Sequence, residues 1–248
     1  MRRKNRFITT TTNNKNINDS DQFISVVLFG ENHGYRMKSY GPISLMKIGG
    51  KTLIQRQVEA IKATFKNFEI VLCSGFETQK TVEFVKNNFS DINIRVVENQ
   101  IHFNSNCCES ARLCLQNIGN SRILLCNGAL LLDSHVLSEI KYDKSSIICQ
   151  DKDDFENFDV GIIDNNGYLE SMSVGIRGAM WSEILYLANK KVISNIYSTV
   201  SNADYKNRFL FEAINNALKH NRIEVKIIQD YQIVKVQNIK TLKRLTNI

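Results

Sequence analysis

The chain of 248 residues has room for one large α/β domain or two small ones. Its 43% hydrophobic and 23% charged residues are ordinary for a globular protein, and no apolar run approaches the roughly 20 residues of a membrane span. Much of the formal net charge of +7 lies in the first 20 residues, so the rest of the chain is only mildly basic and need not bind nucleic acid. We therefore expect a soluble, cytoplasmic protein.

The N-terminal segment 1–22 is polar, basic and low in complexity. It predicts a disordered tail, because it cannot bury enough apolar surface to order itself. The alternative is a basic arm that docks on an acidic partner: a protein, a nucleic acid, or a larger assembly such as a virion. Residues 23–248 are expected to form a single domain.

The first half of this domain alternates short apolar runs with amphipathic segments. The apolar runs predict buried strands at 23–30, 68–75, 92–99 and 121–132. Apolar residues at helical spacing predict helices at 52–66, 77–89 and 105–118. This alternation predicts an α/β fold with a Rossmann-like, mostly parallel sheet and flanking helices, because consecutive parallel strands need crossover connections.

The second half has a less regular pattern. Strands are predicted at 145–150, 223–229 and 231–236. Segment 159–174 predicts a hairpin, because Asn165, Asn166 and Gly167 supply a turn between two apolar runs. Helices are predicted at 180–190, 205–220 and 239–248.

The cysteines and histidines do not predict a metal centre. None of the six cysteines forms a CxxC pair, and no histidine lies at a matching metal-ligand spacing. Cys107 and Cys108 precede a predicted helix, where a thiol is either activated by the helix N-terminus or, as we favour, simply buried.

Three blocks near the N-terminus carry a resemblance to a known family. They are Gly34–Met37, Pro42–Leu45 and Gly50–Ile54, and they follow an apolar strand. The sugar nucleotidyltransferase family opens in the same way, with a glycine loop and Arg-Met, then Pro-Lys-x-Leu, then Gly-Lys-Pro-Leu-Ile. Three blocks in the same order and spacing make the likeness specific.

The resemblance continues through the body of the chain. Val97–Asn99, with Ser105, Asn106 and Ser110, looks like the base-contacting segment of the choline-phosphate cytidylyltransferase branch. Val234–Leu245 resembles the family's closing strand and helix. The resemblance implies a fold of the GT-A type. It also implies transfer of a nucleotidyl group to a phosphate acceptor, with Mg²⁺ held by two aspartates.

This sequence departs from the family at the catalytic positions. Ala129 replaces the first metal-binding aspartate, and the second falls near Gln237. Ile43 replaces the lysine of the Pro-Lys-x-Leu block, and Asn32 replaces the first glycine of the loop. Glu31 brings a carboxylate that would repel a triphosphate. Removing even one electrostatic group from such a site costs about 10²–10³ in rate, so the sequence predicts a degenerate active site.

Several family positions keep their residue types. Arg36 and Lys51 are the catalytic candidates if the chain is active. The vestigial nucleotide-binding set is Gly34, Arg36, Asn99, Asn106, Ser110 and Gly128. Each of these also has a structural interpretation, such as a solvated turn residue or a helix cap. Alternative metal ligands are Asp133 and Asp230, and Glu212 is a further carboxylate candidate.

The sequence favours a nucleotidyltransferase-like protein that has lost metal-dependent catalysis. It would act as a binding or structural component, docking through its basic arm. No cofactor is then expected. The alternative is an active, divergent sugar-phosphate or choline-phosphate nucleotidyltransferase that uses Mg²⁺. A third hypothesis is nucleic-acid binding through the tail, with steep salt dependence.

Overall fold

The computed structural model describes residues 7–9 by their backbone, together with residues 23–120, 122–151, 159–229 and 233–246. Its strands are β1 (Phe7–Thr9), β2 (Ile24–Phe29), β3 (Lys47–Ile48), β4 (Lys51–Thr52), β5 (Phe68–Ser74), β6 (Ile94–Glu98), β7 (Ile123–Asn127), β8 (Leu130–Leu131), β9 (Ser146–Asp151), β10 (Val160–Asn165), β11 (Tyr168–Val174), β12 (Ala179–Leu187), β13 (Glu224–Ile228) and β14 (Val234–Lys235). Its helices are α1 (Leu53–Thr64), α2 (Thr78–Asn88), α3 (Cys107–Leu115), α4 (Ser134–Ser138), α5 (Lys190–Ser201), α6 (Leu210–Ala217) and α7 (Ile239–Thr246).

One ten-stranded mixed sheet organises the chain, in the order β1-β6-β5-β2-β7-β12-β10-β11-β13-β9. Strands β6, β5, β2 and β7 are parallel neighbours, as the alternation of strands and helices predicted. The direction reverses at β12, which runs antiparallel to β7 and also pairs with β9 and β10. The predicted α/β fold, with a Rossmann-like mixed sheet and flanking helices, is confirmed.

The core lies on both faces of the sheet. One apolar cluster joins the central strands to α1, α2 and α4, and a second joins them to α3, α5 and α6. The central strands are therefore almost continuously apolar, as in β2, where the first five residues are fully buried. Helix α1 starts where its sequence predicts, because Thr52 and Gln55 form a reciprocal capping box.

A third, smaller cluster lies where the glycine loop meets the C-terminus. Buried residues from the segment between β2 and α1, from the start of α1, from the loop after β7, and from the segment after β14 and α7 pack together there; they are Met37, Ile43, Met46, Ile48, Leu53, Ala129, Val236 and Leu242. This packing holds the two ends of the domain against each other, at the edge of the sheet where β2 and β7 end.

The prediction of a helix at 180–190 is wrong. Residues 179–187 form β12, a long strand that pairs with β7, β9 and β10. The segment is apolar on both faces because it lies in the middle of the sheet, and such a run cannot be told from a buried helix by periodicity. Helix α5 was not predicted at all, and α6 is shorter than the predicted 205–220.

The N-terminal segment differs from the predicted tail at one place. Phe7–Thr9 forms the edge strand β1, antiparallel to β6, with Ile8 opposite Val96. The other residues of segment 1–22 lie outside the described part of the chain, so their disorder stays a prediction. Within the described residues no helix is both long and apolar enough to cross a membrane.

Candidate ligand-binding cleft

A cleft of about 260 Å³ opens at the carboxyl ends of β2 and β7. In open α/β sheets, ligands commonly bind outside the carboxyl ends of two neighbouring parallel strands whose connections lead to opposite sides. Its lining is mainly apolar, with a few polar and charged side chains among aromatic and aliphatic ones. The lining residues used below are Phe29, Glu31, Gly34, Ile43, Asn106, Cys107, Asn127, Ala129, Trp181, Glu183, Phe209, Phe211, Lys235 and Gln237.

The loop after β7 forms one wall and is tightly held. The Gly128 backbone N–H donates to the Phe29 carbonyl at 2.8 Å. A Cβ at Gly128 would lie 2.7 Å from that oxygen, so only glycine fits this close approach. From α1, the buried Gln57 amide donates to the Asn127 and Leu130 carbonyls at 3.2 and 2.9 Å. These contacts place the Ala129 methyl group on the cleft wall.

The C-terminal segment forms the opposite wall. Strand β14 pairs with β8, and the Val236 N–H donates to the Ala129 carbonyl at 2.9 Å. The Tyr35 N–H of the glycine loop donates to the Gln237 carbonyl at 3.0 Å. Lys235 and Gln237 therefore both line the cleft, together with Ala129.

A bulge in β12 brings Glu183 into the same cleft. The pairing with β9 shifts between Trp181 and Ile184, and Glu183 has a φ of +57°, in the left-handed region. The Trp181 Nε1–H donates to the Ile184 carbonyl across the bulge at 3.1 Å. Bulges commonly re-aim a side chain near a functional site, and strained backbone persists where the surroundings hold it.

Glu183 is part of a small polar network. Its carboxylate accepts from the Lys235 ammonium and from the Asn127 side-chain amide. The Asn127 side-chain oxygen, Oδ1, accepts the Ala129 N–H at 2.7 Å. The Glu183 and Lys235 side chains are 32% and 36% exposed, so water still screens this ion pair. The network ties β7, β12 and β14 together across the cleft.

Glu31 is the second carboxylate of the cleft, and it is only 4% exposed. Burial raises its pKa, while hydrogen bonds from its own backbone and from Ser110 act in the opposite direction and nearby Glu183 raises it further. Its Oε2 atom has no hydrogen-bond partner among the described residues. Glu31 therefore presents an unsatisfied acceptor in the wall of the cleft.

No family model and no curated protein matches the sequence. Solved structures do match. The CTP:phosphocholine cytidylyltransferase from Streptococcus pneumoniae has a TM-score of 0.76 at 14% identity, over 90% of this chain and 98% of that one. This chain has the nucleotidyltransferase fold. The inositol-1-phosphate CTP transferase from T. maritima gives a TM-score of 0.72 at 14% identity, over 90% of this chain and 95% of its own.

A third structure of this fold matches over almost the whole length of both chains. The nucleoside-diphosphate-sugar pyrophosphorylase from Vibrio cholerae gives a TM-score of 0.73 at 12% identity, over 91% of this chain and 100% of its own. The predicted resemblance is thus confirmed for the fold. At 12–14% identity the likeness shows the fold alone.

The donor set of the cleft differs from the two aspartates that the resemblance implied. Ala129 offers no donor, Gln237 offers a neutral amide, and the Glu183 carboxylate already faces an ammonium group. Within the described residues no group of three or more His, Cys, Asp or Glu side chains is placed to hold a metal ion. Mg²⁺ prefers several hard oxygen ligands, so Ala129, Gln237 and the ammonium-paired Glu183 do not replace two free aspartates.

Two members of the predicted nucleotide-binding set line the cleft. Gly34 has a φ of +74°, and its backbone lies against the Gln237 carbonyl and Met37. Asn106 is the N-cap of α3, and its side chain accepts the Cys107 N–H at 2.8 Å. Gly128 lies in the tight turn beside them, where packing alone explains the glycine.

Asn99 and Ser110 lie behind the wall of the cleft. The Asn99 amide donates to the hydroxyls of Ser105 and Ser110, both at 3.1 Å, and its oxygen accepts the Ile101 N–H at 3.1 Å. Both residues are almost completely buried. They organise the loop before α3, and Ser110 also contacts Glu31.

The remaining candidates that fall within the described residues do not line the cleft. Arg36 is exposed and stacks over the Tyr35 ring at 5.1 Å, and Lys51 forms a surface ion pair with Glu59 at 2.8 Å. Asp133 caps α4 by accepting the His135 N–H at 2.8 Å. Glu212 likewise caps α6 and pairs with Arg208. Asp230 lies outside the described residues.

Beside the cleft Cys108 is buried and Cys107 is partly buried, and neither thiol is activated. Burial raises the pKa of Cys108 to about 12 and raises that of Cys107 further. The Cys107 sulfur accepts the Leu210 N–H at 3.0 Å, and the Cys108 thiol lies 3.2 Å from the Phe209 carbonyl. The preferred sequence interpretation, small buried side chains, therefore agrees with the geometry.

Sequence reasoning missed the ion pair of Glu183 and Lys235. Glu183 could not be found, because its segment was predicted as a helix and its orientation depends on the bulge. Lys235 had a usable signal: it is a lone lysine between Val234 and Val236 in the predicted closing strand, two residues before Gln237. A charge in such a position often faces a site.

Proposed function

We propose that this chain uses the nucleotidyltransferase fold to bind a small molecule and does not catalyse metal-dependent nucleotidyl transfer. The observation that carries the proposal is the composition of the cleft. Ala129 and Gln237 stand where the resemblance puts two metal-binding aspartates, and the ion pair of Glu183 with Lys235 lines the same cleft.

The electrostatics of the cleft support the same conclusion. A nucleoside triphosphate and its leaving pyrophosphate need cations around them, and the family supplies Mg²⁺, arginine and lysine. Here Ile43 lines the cleft in place of a family lysine, while Arg36 lies on the surface. Glu31 adds a carboxylate. Each lost electrostatic group costs about 10²–10³ in rate, so their combination would leave no useful turnover.

The test is a calorimetric titration of the purified chain with CTP, UTP, ATP and GTP, each with and without Mg²⁺ in moderate salt. A parallel assay measures pyrophosphate release with phosphocholine or glucose 1-phosphate as acceptor. We expect neither Mg²⁺-dependent binding nor pyrophosphate. The S. pneumoniae cytidylyltransferase with CTP and phosphocholine is the positive control. Mg²⁺-dependent binding together with pyrophosphate release would refute the proposal.

An active, divergent transferase is the second candidate. It is favoured by the presence of two carboxylates, Glu31 and Glu183, in one cleft, and by the coverage of almost the whole length of transferase structures. This candidate predicts that any pyrophosphate release disappears in Glu183→Gln. It also predicts that release persists in Asp133→Asn, because Asp133 lies outside the cleft.

A docking role for segment 1–22, in a larger assembly or on nucleic acid, stays a separate proposal. Its support is the basic composition of the segment. Exchanging the four basic residues among residues 1–6 for glutamine removes charge without touching Phe7–Thr9 in β1. Nucleic-acid binding would show a steep loss with salt in the unaltered chain and would weaken in this variant. Equal affinity of the two proteins would exclude the tail as the binding element.

A further inference from the structure

A buried carboxylate oxygen in the wall of the cleft lacks a hydrogen-bond donor from the described part of the chain. Glu31 is 4% exposed, and its Oε2 has no hydrogen-bond partner among the described residues. A buried acceptor of this kind costs free energy unless a donor reaches it. Glu31 lines the cleft, so a bound molecule can supply that donor.

The charges around the cleft favour a cationic donor. Among the described lining residues the charged side chains are Glu31, Glu183 and Lys235. Lys235 and Glu183 neutralise each other, so the carboxylate of Glu31 is left without a counter-charge. The neighbouring groups from α3 and β5 are Ser110 and the thiols of Cys107 and Cys73, none of which is a cation. A ligand with one positive charge would supply the missing counter-charge for the Glu31 carboxylate.

The remaining walls suit the apolar body of such a molecule. Aromatic rings of Phe29, Trp181, Phe209 and Phe211 line the cleft. Phe209 and Phe211 are stacked, with centroids 5.9 Å apart and planes 15° apart. Aromatic faces attract organic cations and pack well against flat rings.

We propose that the cleft binds a small organic ammonium ion, primary or secondary, whose N–H group donates to Glu31 Oε2 while its apolar body packs on the aromatic wall. The proposal rests on the proposed function, since it names the class of ligand for the same cleft. The N–H group is essential to it, because the unused acceptor requires a donor and not merely a charge. A quaternary ammonium would satisfy the charge but not the hydrogen bond.

Four matched probes test the proposal: benzylammonium, benzyltrimethylammonium, benzyl alcohol and benzoate. They share a ring but differ in charge and in N–H groups. Trp181 is the one tryptophan of the chain and lines the cleft, so its fluorescence reports occupancy. We expect benzylammonium to bind most tightly. Stronger or equal binding of the quaternary, neutral or anionic probe would overturn the proposal, as would no binding of any probe at millimolar concentration.

The variant Glu31→Gln tests whether the ammonium ion binds at Glu31. It keeps the shape of the side chain and removes the charge. The affinity for benzylammonium should fall about tenfold or more, because charge-assisted hydrogen bonds are the strong ones. The affinity for benzyl alcohol should change little. Glu139→Gln, an exposed carboxylate away from the cleft, is the matched control and should change neither affinity. An unchanged affinity of Glu31→Gln for benzylammonium would place the binding elsewhere and overturn the proposal.

The two proposals can fail separately. If benzoate binds in the cleft at least as tightly as benzylammonium and without pyrophosphate release, the ammonium ligand is wrong while the binding function stands. If Mg²⁺ and a nucleoside triphosphate give pyrophosphate, the binding function itself is wrong, whatever the amine probes do. Circular dichroism of Glu31→Gln checks that the fold is kept, and the probe series on the unaltered chain tests the ligand class without any variant.

Discussion

Gly128 is the residue whose replacement tests the construction of the cleft most directly. In Gly128→Ala the new Cβ would lie 2.7 Å from the Phe29 carbonyl oxygen, 2.9 Å from its carbon and 3.0 Å from the Gly30 Cα. All three are backbone atoms, so no side chain can rotate away. The end of β2 and the loop after β7 must then separate, and the 2.8 Å hydrogen bond between Gly128 and Phe29 is weakened or lost.

The size of the effect follows from these contacts. Overpacking of this kind costs about 1–3 kcal/mol, and a lost hydrogen bond about 1 kcal/mol more. A loss of about 2–4 kcal/mol corresponds to a downward shift of the urea midpoint by about 1 M, for an m-value of about 3 kcal/mol/M. The transition can be followed by the fluorescence of Trp181, which is 7% exposed when folded.

Gly119→Ala is the matched control for this experiment. A Cβ at Gly119 meets no atom within 4 Å, so the same chemical change should leave stability within about 0.5 kcal/mol or raise it slightly. If Gly128→Ala is as stable as Gly119→Ala, the close approach of β2 to the loop is wrong. The packing reason for glycine at position 128 would then be wrong with it.

Three further predictions concern the charges and thiols of the cleft. The pKa of Glu31 is raised in the folded chain, so unfolding releases a proton at pH values between the unfolded and the folded pKa. The free energy of unfolding should therefore fall as the pH rises through that window. Urea titrations of Glu31→Gln should lack this dependence on pH. A double-mutant cycle with Lys235→Met and Glu183→Gln should give a coupling of about 0.5–1 kcal/mol, modest because both side chains are about one-third exposed; zero coupling would argue against the ion pair. Because burial raises the pKa of Cys108 to about 12, alkylation of the folded chain at pH 8, followed by mass spectrometry, should leave it unmodified, whereas rapid labelling would indicate an activated thiol.

The sequence alone was sufficient for the local features of the fold. Apolar runs of strand length located β2, β5, β6 and β7, and helical spacing located α1, α2 and α3, because these patterns depend on residues close in the chain. The Asn166-Gly167 turn was readable for the same reason, since both residues adopt positive φ. The family resemblance assigned Ala129 and Gln237 to the positions of two metal-binding aspartates, and both residues line the cleft.

Tertiary structure alone decided how the cleft is charged. Residues 179–187 are a strand because three other strands pair with them, and no local pattern records those partners. Glu183 reaches the cleft through a bulge, and Lys235 meets it from a segment about 50 residues away in sequence. The same non-local packing leaves Arg36 and Lys51 on the surface, where spacing had suggested a site. Motif spacing indicates which residues share an element, whereas strand pairing and backbone strain decide where their side chains meet.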